Sequence, residues 1–198
     1  MKRLQKLAVF LLALLLVTVP ALAAAPTKAD KKEAERQELR TKTYQALKLL
    51  YEKKPKSKRA IEHAYGYAVF VDTSYTAGGQ GGGRAVNNSN GTEVFMKMAQ
   101  GKLGLGLGVR QTNTIFVFDT IDAFTSFITK GWTFGGQAAA AATDDVHGDS
   151  LEGSFQVAPG MWMYQMTTKG LAAELTATGT RFYVDNDLNK TQIPAVKE

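Results

Sequence analysis

The sequence predicts an α+β fold: N-terminal helices, then a largely antiparallel, glycine-rich β-sheet able to curl toward a barrel, with one short helix inserted. Three observations carry this. Residues 28–64 hold 12 basic and six acidic side chains and no glycine, a helix-forming composition. All 19 glycines lie between Gly66 and Gly179. Within that glycine-rich stretch apolar residues recur with period two in several short runs, broken once by helical spacing at Ile121, Phe124, Phe127 and Ile128. Helices, strands, one helix and more strands is the order of an α+β chain.

The chain opens with an address. Lys2, Arg3 and Lys6 form a positive n-region, Leu7 to Val19 is an almost wholly apolar core, and Ala21-Leu22-Ala23 is a small-residue cleavage site. The apolar run is shorter than the ~20 residues that cross a bilayer as a helix. Residues 1–23 are therefore expected to be a cleaved signal peptide, and the mature chain to be exported to a bacterial periplasm. Residues 24–39 read as a charged lead-in with almost no apolar stripe, 40–192 as one domain, and 193–198 as a tail.

The elements follow in order. Lys28 to Lys54 reads as a helix with Leu39, Thr43, Ala46, Leu47 and Leu50 on one stripe. Pro55 ends it, and Ser57 is placed to cap a second helix bearing Ala60, Ile61 and Ala64. Strands are expected at Tyr67–Val71, Thr92–Ala99, Leu103–Arg110, Thr114–Phe118, Met161–Met166, Leu171–Thr176 and Arg181–Val184. Asn87 to Gly91 reads as a turn. Thr120 and Gly131 bracket the inserted helix as N-cap and terminator. Gly78 to Gly83 reads as a flexible turn or a bulged strand. Gly104, Gly106 and Gly108 alternate with apolar residues, which leaves one bare strand face for tight packing or for a ligand.

Composition removes several function classes. There is no cysteine, hence no disulfide frame, thiol nucleophile or thiolate zinc site. Two histidines leave little material for a metal centre or a Ser-His-Asp triad. Gly104 and Gly106 begin a dinucleotide fingerprint, but Val109 stands where its third glycine belongs, and Gly101-Lys102 is followed by Leu103, not Ser or Thr. Asp144, Asp145, His147 and Asp149 lack diagnostic metal spacing. Asp185, Asp187 and Asn189 mimic the start of a calcium loop, but Lys190 and Val196 occupy its glycine and glutamate positions, so a turn is expected. Glu93, Asp119 and Glu174 sit in separate segments with nothing to pair them as acid and base. No catalytic residue, metal or cofactor is implied.

The strongest charge feature is Lys53, Lys54, Lys56, Lys58 and Arg59, five cations in seven residues beside an amphipathic helix. It reads equally as a solvated surface or as a contact for an anionic membrane, where each cation contributes about 1 kcal/mol. Nucleic acid is not expected: without residues 1–23 the chain carries 21 basic and 18 acidic side chains.

Several runs taken in order resemble the SYLF lipid-binding domain family, over about residues 40–190. The short helix before Tyr65-Gly66-Tyr67-Ala68-Val69-Phe70 resembles its helix entering a "Gly-x-x-Val-Phe" strand. Ala77-Gly78-Gly79 through Gly83, Leu103 through Gly108, and Thr114–Phe118 with Trp132 through Ala140 are similar to later segments of the same domain. So are Tyr164 with Lys169-Gly170-Leu171, and Asp185-Asn186-Asp187-Leu188-Asn189. The chain departs from the pattern at Tyr65, Val71 and Gly108-Val109-Arg110-Gln111. The family is linked to phosphoinositide and membrane binding, and in eukaryotes to actin. In a periplasm the resemblance implies non-enzymatic binding of a phospholipid or another amphiphile. The alternative is a structural module that binds another envelope protein through its sheet. An outer-membrane barrel fits less well, given the helical start and the C-terminal Val196-Lys197-Glu198.

Overall fold

The computed structural model describes residues 25–72, 80–100, 112–135, 153–167, 170–171 and 179–190. Residues 1–24, the strand expected at Leu103–Arg110, the Asp144–Asp149 stretch and most of Leu171–Thr176 lie outside the described residues.

Helix α1 (Lys28–Lys53) begins with a capping box: the Thr27 hydroxyl accepts from Asp30 N–H at 3.1 Å, and Asp30 Oδ2 accepts from Thr27 N–H at 2.9 Å. The charged lead-in is thus helical from Lys28. Thr43, Ala46, Leu47 and Leu50 are buried along the expected stripe, together with Arg36. Helix α2 (Pro55–His63) follows after Lys54, which closes one helix and opens the next. Pro55 is the first residue of α2, where its missing N–H costs nothing. The expected cap at Ser57 is corrected here: Lys54 is the N-cap, and Ser57 is the buried third residue of the helix, its hydroxyl donating to Lys54 O at 2.6 Å. Neither helix is long and apolar enough to cross a membrane, nor is any other described helix.

Strands β1 (Gly66–Asp72), β2 (Gln80–Asn87), β3 (Glu93–Gln100) and β4 (Thr112–Phe118) precede helix α3 (Ile121–Lys130). Strands β5 (Trp132–Phe134), β6 (Phe155–Ala158), β7 (Met161–Thr167), β8 (Gly170–Leu171) and β9 (Thr180–Val184) follow, then a single turn of helix, α4 (Asn186–Asn189). These strands make one sheet in the order β5-β9-β3-β2-β1-β4-β7-β6, with β8 paired to β7. Every described pairing is antiparallel, and the sheet curls into a half-barrel. The α+β expectation is met. Gly81 to Gly83, read from sequence as a turn or bulge, instead lie in unbroken register with β1 and β3. Gly83 fits there because a Cβ would come within 2.3 Å of Val69 O and 2.6 Å of the Phe70 ring.

Alternation divides the core into two layers. Ala68 and Phe70 of β1, Phe116 and Phe118 of β4, Met161 and Met163 of β7 and Phe182 of β9 face one side of the sheet. There they meet Phe124 and Phe127 of α3, which Thr120 caps through its hydroxyl (3.3 Å to Ala123 N–H) and Gly131 ends at φ 73°. Phe116 lies 4.9 Å from the Phe182 ring and 5.1 Å from the Phe127 ring, so the sheet face beside α3 is filled with aromatic side chains. Val69, Val71, Ile115 and Val117 point the other way, onto Leu47 and Leu50 of α1 and Ile61 of α2.

Candidate functional site

The five cations singled out by sequence fall on the α1–α2 corner. Lys53 ends α1, Lys54 joins the helices, and Lys56, Lys58 and Arg59 ride on α2, whose opposite side buries Ser57 and Ile61. Lys53, Lys56, Lys58 and Arg59 are exposed and Lys54 is half-buried. Lys58 has Glu62 at 3.8 Å, a loose surface contact. The first turn of α2 carries no acid, so the positive end of its dipole adds to the side-chain charge. The structure thus gathers the run at one corner, held by α2's buried face.

A second set of charges, not anticipated from the sequence, lies between α1 and the sheet. Arg84 of β2 and Glu93 of β3 stand on the outer face, opposite the aromatic core. Glu93 Oε1 accepts from Arg40 Nε at 2.7 Å and also from Arg40 Nη2. Glu93 Oε2 accepts from Arg84 Nη1 at 3.1 Å, while Arg84 Nε donates to the Thr43 hydroxyl at 2.9 Å. Burial works against the charged form of Glu93, but hydrogen bonds from Arg40 and Arg84 outweigh it and hold the carboxyl below its ordinary value. The hydrogen bond to Glu93, in turn, raises the pKa of Arg40. An acid clamped by two guanidiniums in this way is a structural anchor and a poor proton donor.

Toward its start α1 is tied to α4. Arg36 Nε donates to Leu188 O and Lys32 Nζ to Asp187 O, each at 2.9 Å. The Asp185-Asp187-Asn189 pattern resolves as helix-capping chemistry. Asp185 Oδ1 accepts from the N–H groups of Asp187 and Leu188, and Asn189 Nδ2 donates to Phe95 O at 2.8 Å. Lys97 pairs with the buried Asp185 at 3.1 Å. No cluster of three metal-ligating side chains occurs among the described residues. A half-open groove of about 250 Å³ runs beside α1, between Glu35, Leu39 and Lys42 on the helix and Gly82, Lys97 and Tyr183 on the sheet.

The arrangement holds elements together and offers a charged corner. It defines a class: a small α+β domain on one curled antiparallel sheet, aromatic on the face that carries α3 and strapped by α1 on the other. Comparison with known proteins then gives the family. Residues 99–192 match the model of the family described as Ysc84, Las17-binding protein actin regulator. Beta cell expansion factor A of Aeromonas veronii is 31% identical over 149 residues, 74% of this chain and 56% of that protein. The chain belongs to the Ysc84 family, whose domain is the SYLF domain of the resemblance above. It spans little more than half the length of that curated relative. SYLF domains are, as a family, lipid- or protein-binding modules.

Proposed function

We propose that this chain is an exported, non-enzymatic phospholipid-binding protein of the bacterial envelope. It meets an anionic membrane surface through Lys53, Lys54, Lys56, Lys58 and Arg59. The observation that supports this is the α1–α2 corner, where the cations project from a helix anchored by Ile61 and the positive end of α2 adds to them. Five cations at ~1 kcal/mol each give reversible binding that weakens with salt. The family description names a protein ligand, Las17, which favours a second reading, a scaffolding module for another envelope protein.

Co-sedimentation of the chain lacking residues 1–23 with vesicles separates the two. The lipid reading expects pelleting with phosphatidylglycerol-rich but not purely phosphatidylcholine vesicles. Pelleting is lost in high salt and in the variant with all five cations changed to Gln. No pelleting under any condition sinks the lipid reading and leaves the scaffold.

A further inference from the structure

We propose that residues 28–42 of α1 act as a releasable strap that lifts from the sheet as one unit about Thr43, while residues 46–53 stay docked. The two halves of the helix are held by different chemistry. Ala46, Leu47 and Leu50 are sunk in the apolar layer with Val69, Ile115 and Val117. The first half is held chiefly by polar contacts: Lys32 and Arg36 to α4 carbonyls, and Arg40 to Glu93. Its apolar contribution is the half-buried Leu39, which touches the sheet where Gly82 leaves room.

Two features mark Thr43 as the pivot. Its hydroxyl donates back to Leu39 O at 2.7 Å, a bond that competes with the helical ladder and favours bending there. It also accepts from Arg84 of the sheet, fixing the point where the docked half begins. The groove beside Leu39 and Lys42 shows that the first half is incompletely packed along one flank. Segments with few buried apolar contacts open locally before the whole molecule does. Lifting the strap uncovers Phe95, whose ring lies under the Arg40 guanidinium, and parts Lys32 and Arg36 from the α4 carbonyls and Arg40 from Glu93. An apolar patch beside cations suits an amphiphile; that consequence rests on the lipid reading, but the opening needs no lipid.

Hydrogen exchange on the protein alone tests the strap, so its failure is separate from failure to bind vesicles. Amides of residues 32–42 are expected to exchange together, on the order of tenfold or more faster than those of 46–53. Glu93→Gln is expected to speed the first set about tenfold, the effect of weakening a charged hydrogen bond, and the second set by no more than the loss of global stability read from the urea midpoint. Arg40→Gln, which leaves Glu93 paired with Arg84, serves as a milder variant should Glu93→Gln fail to fold, and is likewise expected to speed the first set more than the second. Protection that decays smoothly inward from Lys28 and ignores both variants is ordinary end fraying and overturns the proposal. So does equal protection across the two halves.

Discussion

Arg40 on α1 and Glu93 on β3, 53 residues apart, share two hydrogen bonds to one carboxylate oxygen, and Arg84 on β2 occupies the other. One acid therefore joins a helix to two adjacent strands. Replacing it with Gln removes the charge that two largely shielded guanidiniums share and leaves them one carboxamide oxygen, although Arg40 keeps Glu33 and Arg84 keeps the Thr43 hydroxyl. Glu93→Gln is expected to destabilise the domain by about 1–3 kcal/mol, read as a lower urea midpoint at unchanged slope.

The same carboxyl gives the domain an acid limit. Its pKa in the folded state lies below the ordinary value. Its contribution is thus complete above the ordinary carboxylate range and disappears as pH falls through the depressed folded value. Glu33, lowered by hydrogen bonds from Arg36 and Arg40, and Asp30, lowered by the Thr27 backbone and hydroxyl, act in the same direction. Stability measured from pH 7 to pH 3 is expected to fall, and to fall less steeply in Glu93→Gln. Parallel curves for the two proteins count against the assignment.

Gly82 and Gly83 are adjacent but differ in tolerance. A Cβ on Gly82 meets the end of the Leu39 side chain at 2.6 Å, which can move aside. On Gly83 it meets the Val69 carbonyl at 2.3 Å, which is held in the sheet. Gly82→Ala should cost about 1 kcal/mol, and Gly83→Ala ~3 kcal/mol or prevent folding. Thermal denaturation of the pair checks the order.

Phe116 touches Phe70, Phe127, Trp132 and Phe182. Phe116→Ala is expected to cost about 3–5 kcal/mol and to reduce the near-ultraviolet circular dichroism that packed aromatic rings produce.

Much of this architecture is legible in the sequence. The Gly-free charged region gives the helices, compact apolar or alternating runs give β1, β3, β4, β7 and β9, and Thr120 with Gly131 brackets α3. Strand β2 is not legible, because Gln80-Gly81-Gly82-Gly83 has no intrinsic strand preference; its neighbours β1 and β3 impose the conformation. Strand β5 has three residues and β6 carries a bulge, so neither shows a clear period. Ile121, counted on the apolar face of α3, is 55% exposed, since it starts the helix at the edge of the core. The corner cations are legible because they are contiguous. The Arg40–Arg84–Glu93 set is not: each residue alone reads as a surface charge, and only the pairing of β2 with β3 beneath α1 brings them together.

The place of β9 governs how the chain can acquire its shape. Strands β1 to β4 are neighbours in sequence and in the sheet, but β3 receives its other partner, β9, from near the end of the chain; Phe95 and Asn189 bond across 94 residues. Until that closure, β3 is an open edge and the aromatic cluster lacks Phe182. Late pairing of this kind slows assembly and leaves sticky surface uncovered on the way. A newly made chain therefore stays vulnerable to aggregation until β9 is available to pair.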